Sequence, residues 1–176
     1  LLEFSGALVK RANYEGDVGL HVAKALWGLR LKGSAPDGIA VLGQAYVMGN
    51  EVYETDKDAK KEIDEVNKKI YEKSNPELVL LYEKGRRASL DYFETIYKKL
   101  GTHFDYYFFE SESGPFGKEI VEKNTGKIFE KSDGAVVFRG EKYGLHTRVF
   151  ISSENLPTYE AKELGLAKVK YEKYPY

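Results

Sequence analysis

"ALVKRANYEGDVGLHVAKALWGLRLKG" occupies residues 7–33. Its opening part, Ala7 to Tyr14, reads as a β-strand, because Leu8 and Val9 are apolar and β-branching favours an extended backbone. Gly16-Asp17 breaks that strand. Apolar residues then recur at helical spacing, with Val18, Val22, Ala25, Leu26 and Leu29 sharing one face, and Lys32-Gly33 supplies a stop after a helix of about Val18 to Leu31. A strand, a tight glycine turn and a helix make half of an α/β unit, which decides against a simple helix bundle.

Working outward, "LLEF" (1–4) reads as the last turn of a helix, with Gly6 at a C-terminal cap position. On the other side, Pro36-Asp37-Gly38 is a turn signal ahead of an apolar helix over 40–54, which Gly43 and Gly49 weaken. A charged helix over 56–74 carries a thin apolar seam of Ile63, Val66 and Ile70. Asn75-Pro76 then opens a long helix ending near Leu100. Leu78, Leu81, Tyr82, Tyr92, Phe93, Ile96 and Tyr97 fall in its apolar register. Beyond it the period changes: "HFDYYFFES" (103–111) reads as a strand, 116–124 as a short helix, and 127–152 as short strands turned at Asp133-Gly134 and around Tyr143-Gly144. An amphipathic helix closes the chain over 157–175. The order is that of an α/β domain interrupted by a helical insertion with a β-hairpin.

Composition narrows the function classes. A length of 176 residues allows one domain with a real core, or part of a larger one. A net charge of −1 argues against a strongly basic nucleic-acid binder, and no apolar run approaches a membrane span. With no cysteine there is neither a disulfide nor a thiolate nucleophile, and three scattered histidines (His21, His103, His146) give no zinc spacing. The 14 tyrosines suit half-buried helix faces, and a tyrosine-rich RNA-binding sheet would need basic residues interleaved with them. No phosphate-binding loop, dinucleotide fingerprint or nucleophile elbow is present, and no residue is singled out as catalytic.

Two places carry chemistry. Tyr159 and Glu163 stand four residues apart, so a phenol and a carboxylate share one helix face. Either Tyr159 packs at the helix start beside a solvated Glu163, or the pair faces a ligand. In "NYEGDVGLH" (13–21), Asn13, Gly16, Asp17, Gly19 and His21 sit at a strand-to-helix turn. Either Gly16 and Gly19 only permit the turn and Asp17 caps the helix, or the turn lies at the carboxyl end of a core strand, where open α/β sheets bind ligands.

Three segments in order, "RANYEGDVGLH" (11–21), "FDYYFFES" (104–111) and "PTYEAKELGLA" (157–167), resemble the catalytic domain of arginyl-tRNA synthetases, class I aminoacyl-tRNA synthetases. "NYEGDVG" is similar to the family's Asn-x-x-Gly-Asp-Trp-Gly, with Val18 for the Trp. "FDYYFFES" is similar to its strand ending in Glu-Ser. "TYEAKELG" is similar to Thr-Tyr-x-x-(Arg/Lys)-Asp-x-(Gly/Ala), with Glu163 for the Asp. The resemblance implies that Tyr159, Glu163 and Glu110 contact a substrate arginine, whose planar cation is best gripped by carboxylates. It implies a Rossmann-like nucleotide-binding core in 1–34, a connective insertion in 35–152 and a return to the core in 153–176. It further implies a cytoplasmic, monomeric parent that uses arginine, ATP with Mg2+, and tRNA(Arg) in protein biosynthesis through an arginyl-adenylate, with no tightly bound cofactor and no membrane partner. The alternative is a non-catalytic binding module descended from such an enzyme.

The family's ATP-handling segments, a His-x-Gly-His sequence and a lysine-bearing Met-Ser-Lys type loop, do not occur in these residues, which suggests an internal fragment. The expected outcome is that the 176-residue chain alone makes no arginyl-adenylate. Arginine-dependent exchange of pyrophosphate into ATP checks this, and exchange clearly above background would overturn it.

Overall fold

The computed structural model describes residues 1–175. Strand β1 (Ala12–Glu15) leads to helices α1 (Leu20–Lys32), α2 (Ile39–Thr55), α3 (Lys57–Glu72) and α4 (Pro76–Leu100). Strand β2 (Tyr106–Phe109) runs into α5 (Glu110–Lys123). Strands β3 (Glu130–Ser132), β4 (Ala135–Phe138) and β5 (Arg148–Ile151) follow, then α6 (Tyr159–Lys173). These elements form two compact units: residues 1–11 with 17–105, and residues 12–16 with those from Tyr106 onward.

The first unit is helical. Asp56 caps α3 by accepting the backbone N–H groups of Asp58 and Ala59, and Asn75 caps α4 through Leu78 N–H at 2.9 Å. Gly33 and Gly101 end α1 and α4 in the left-handed conformation, as their sequence positions require. The α3 seam of Ile63, Val66 and Ile70 is buried with Leu26, Leu29, Leu42 and Leu78 in one core. On α4 that core takes in Leu78 fully and Leu81 and Tyr82 in part, whereas Tyr92 is exposed. Gly49 is not merely a weak helix residue: a methyl group there would run into the carbonyl of Lys24, and one at Gly28 into that of Ala45. The two glycines let α1 and α2 touch backbone to backbone. Gly43 has nothing within 4 Å. At the amino end, Gly6 at φ 87° closes a single turn, with Ala7 N–H bonded to Leu2 O at 3.0 Å and Gly6 N–H to Glu3 O at 3.0 Å.

The second unit pairs β1 with β2 in parallel, Ala12 opposite Tyr106 and Glu15 opposite Phe109. A separate antiparallel sheet has the order β3-β4-β5. Its first turn places Asp133 at φ 49° and Gly134 at φ 80°, the pair of positive angles that a two-residue hairpin demands. Helices α5 and α6 cross at Gly117 and Gly165. A methyl on Gly117 would overlap the carbonyl of Ala161, and one on Gly165 that of Ser113.

Three expectations need correction. The strand expected from Ala7 begins only at Ala12, because ladder pairing starts where Tyr106 becomes available; Leu8 is 79% exposed. The strand expected to run through Glu110-Ser111 stops at Phe109, and the helix begins at Glu110 rather than at 116. That helix contains Pro115, whose missing N–H forgoes one bond to the previous turn. Burial of Glu110 and Ser113 and the close approach of Gly117 to α6 hold the first turns in place. Finally, α1 starts at Leu20, with Gly19 (φ 123°) rather than Val18 at the junction.

The glycines therefore divide by what their missing Cβ would meet. Gly117→Ala or Gly165→Ala is expected to destabilise by roughly 1–3 kcal/mol or more, as overpacking does. Gly43→Ala is expected to stabilise by about 0.5–1 kcal/mol through helix propensity alone. Urea denaturation of the three variants checks both signs, and a neutral Gly165→Ala would refute the close crossing.

Candidate functional site

The second unit gathers two phenols, two carboxylates and an amine. Strand β1 presents Tyr14, whose hydroxyl lies 2.8 Å from Ser113 Oγ on α5. Glu110 opens α5. Lys162, one turn into α6, donates from Nζ to Glu110 Oε2 at 2.6 Å, with side-chain exposures of only 8% and 12%. Tyr159 is the first residue of α6, and its phenol feels the carboxylate of Glu163 one turn on.

Thr158 fixes where α6 begins. Its Oγ1 donates to Val149 O at 2.6 Å, and its backbone N–H donates to Phe150 O at 3.0 Å, tying the residue before Tyr159 to β5. The carbonyl of Thr158 then accepts from Lys162 N–H at 3.1 Å, the first bond of the helix. A threonine between extended backbone and helix suits this position, because its side chain can serve the strand while its carbonyl starts the helix. Gly114 lies against the side chains of Pro157 (3.4 Å) and Lys162 (3.5 Å from the position its Cβ would take), so the lysine stem runs over bare backbone.

Electrostatics join these groups. The Tyr159 phenol is held above its ordinary value of 10.0, first by its hydrogen bond to Glu163 and then by that carboxylate's charge, with Glu110 and Glu160 adding to it. Burial pushes the Tyr14 phenol up as well; its bond to Ser113 opposes this, and the charges of Glu110 and Glu163 reinforce it. Both phenols are therefore neutral near pH 7, and each feels the same two carboxylates. Glu160 is answered by Arg148 at 3.9 Å and Glu110 by Lys162, which leaves Glu163 the carboxylate without a basic side-chain partner among the described residues. The carboxylate oxygens of such a cluster are acceptors suited to a cation that carries several donors.

Tyr159, Glu163 and Glu110 are thus brought together. The turn residues are not gathered in the same way, since the division between units passes through them. Asn13 and Gly16 belong to the second unit, where Asn13 donates to Glu15 Oε1 at 2.6 Å and Gly16 is exposed. Asp17, Gly19 and His21 belong to the first. There Asp17 is buried and accepts from Arg86 Nε at 2.7 Å, with the Tyr82 hydroxyl at 3.4 Å. Its carboxylate thus ties the turn to α4, and the α1 N-cap is Gly19 with no side-chain cap bond. His21 is exposed on the first turn of α1. Sequence reasoning passed over Tyr14, Glu15, Ser113, Lys162 and Arg86. Ser113 had a local signal, lying three residues after Glu110 and so on its face once 110–123 is read as a helix, and Lys162 fills the Arg/Lys position of the quoted Thr-Tyr pattern.

Among the described residues no group of three or more His, Cys, Asp or Glu side chains is arranged to hold a metal ion. No helix of the described residues is long and apolar enough to cross a membrane. No family model matches the chain.

The proteins that it does match are aminoacyl-tRNA synthetases, over nearly all of its length. More narrowly, they are arginine–tRNA ligases. The chain is similar to those of Amoebophilus asiaticus, 27% identical over 99% of this chain and 33% of the relative, and of Flavobacterium psychrophilum, 27% identical over 95% and 32%. It spans about a third of the length of these curated relatives. The arginyl-tRNA synthetase structure from Plasmodium falciparum shares the fold with a TM-score of 0.67 at 17% identity, covering 97% of this chain and 29% of that one.

The Tyr14 geometry predicts an alkaline signature. The folded chain keeps the Tyr14 proton to higher pH than the unfolded chain does, so this contribution to stability is complete below pH 10.0 and is lost as pH rises above it. Stability measured by urea between pH 8 and 11 should fall at the alkaline end. Tyr14→Phe should make that fall shallower by up to about one proton's worth of slope; an unchanged slope would refute the assignment.

Proposed function

We propose that this chain is part of the catalytic domain of a class I arginine–tRNA ligase and carries the end of its pocket that recognises the arginine side chain. The observation that supports this reading most directly is the cluster itself. Tyr159 and Glu163 share the first two turns of α6, both phenols are neutral, and the negative charge of Glu163 is not answered by a neighbouring base. A guanidinium placed there would donate to Glu163 and meet the Tyr159 hydroxyl or ring face. Glu110 contributes charge nearby. The turn of Asn13, Gly16, Asp17, Gly19 and His21 is proposed to border the nucleotide-binding core, to which 1–34 and 153–176 contribute around the insertion 35–152.

In the parent protein the arginine carboxylate would attack the α-phosphorus of ATP, releasing pyrophosphate and forming arginyl-adenylate. A terminal ribose hydroxyl of tRNA(Arg) would then attack the acyl carbon and release AMP. Such chemistry rests on positioning and on stabilising phosphate charge. The residues of this chain would supply positioning of the side-chain end, and Mg2+ would travel with ATP. A cytoplasmic, monomeric parent is part of the same proposal.

Tyr159→Phe and Glu163→Gln, made in the full-length parent, should each raise KM for arginine by roughly ten- to a hundred-fold, the range expected for one charged hydrogen bond. KM for ATP should stay nearly constant. Parallel losses for both substrates would instead mark a folding defect and remove the support for an arginine pocket.

A further inference from the structure

Helix α5 begins with few bonds along its own axis. Its N-cap residue, Phe109, makes no side-chain cap bond, and Pro115 has no N–H to return to the turn before it. The turn that carries Glu110 is therefore fixed from the side. From α6, Lys162 reaches Glu110 itself. From β1, the Tyr14 hydroxyl lies 2.8 Å from Ser113 Oγ, and Ser113 is only 2% exposed. Ser113 follows Glu110 by three residues, so the two side chains leave the same helix face. The ladder adds a second constraint, because Tyr14 stands opposite Phe108, two residues before Glu110. A phenol on a paired strand thus reaches the face of α5 from which Glu110 projects. Cutting such a hydroxyl pair from one end leaves the other group buried without its partner.

We propose that Tyr14 and Ser113 are positioning residues of the arginine pocket: their hydroxyl pair holds the first turn of α5 against β1 and so sets the place of the Glu110 carboxylate beside Tyr159 and Glu163. The proposal rests on the arginine-pocket reading and deepens it. It gives two residues outside the predicted site a task that acts through Glu110. The charges of Glu110 and Glu163 both act on the Tyr14 phenol, which puts that ring near them. Two neutral hydroxyls suit the task, because they tie the turn down without changing the charge that a guanidinium meets. Without the tie the turn opens more often, as under-bonded helix ends do, and Glu110 spends less time where a planar cation needs it.

The test has two arms. In the 176-residue chain, hydrogen exchange is followed at the amides of Gly114 and Phe116, in the first turns of α5, with strand β4 (Ala135–Phe138) as an internal reference. Tyr14→Phe and Ser113→Ala should each speed exchange in α5 by roughly two- to ten-fold, the range of one neutral hydrogen bond, and leave β4 unchanged. In the full-length parent each should raise KM for arginine by a similar factor, with KM for ATP nearly constant. The double variant should cost no more than the larger single one, because both substitutions cut the same bond. They cut it from opposite ends, so one stands as the test if the other fails to fold. Unchanged exchange in α5, equal acceleration in β4, or losses that add in the double variant would overturn the tie. Glu163→Gln is the control for the pocket. If it raises KM for arginine while neither hydroxyl variant does, only the positioning role falls. If it leaves KM for arginine unchanged, the arginine pocket falls and this inference falls with it.

Discussion

The second unit depends on one close approach, the crossing of α5 and α6 at Gly117 and Gly165. Neither position has room for a methyl group, because the opposing carbonyls of Ala161 and Ser113 occupy the space. Helices that cross on glycine come nearer than the usual 8–10 Å between axes, so side chains one turn away reach across easily. Glu110 and Ser113 lie on one helix, and Tyr159, Lys162 and Glu163 lie on the other. A single added carbon at the crossing would separate the helices and lengthen the 2.6 Å bond between Lys162 and Glu110.

That bond matters because of where it is. The chain carries several surface ion pairs at helical spacing, such as Lys69–Glu65 at 3.2 Å, whose partners are well solvated and which contribute little. Lys162–Glu110 is different in kind, since water has been excluded from both groups and each relies on the other. The first unit contains a comparable tie, Arg86 to the buried Asp17, although its arginine is more exposed. One pair shapes the field around Tyr14 and Tyr159, and the other anchors a turn. The same interaction type thus lies beside two phenols in one unit and holds backbone in place in the other.

Glu163 stands one turn after Tyr159 on the same helix, close enough for its charge to raise the phenol. Val18, at the strand-to-helix turn, is buried in the core of the first unit with Leu26 and Leu29. Its burial anchors the turn through the hydrophobic effect.

Much of the fold was determined by the sequence itself, through signals that act within a few residues. The caps at Asp56 and Asn75, the stops at Gly33 and Gly101, the Asp133-Gly134 turn and the α3 seam all formed where the residues called for them. Each rests on a backbone angle, a neighbouring donor or helical periodicity, and these need no distant partner. The Tyr159–Glu163 pair belongs to the same group, being one turn apart on one helix. What the sequence by itself left open was decided by partners far along the chain. The extent of β1 follows from where β2 becomes available, 94 residues away. Gly49 reads locally as a defect and proves to be a contact surface, because only α1 shows what it meets. Lys162 and Glu110 are 52 residues apart, and Tyr14 and Ser113 are 99 apart. Burial and charge cancellation are properties of the space around a side chain, and only tertiary structure fills that space.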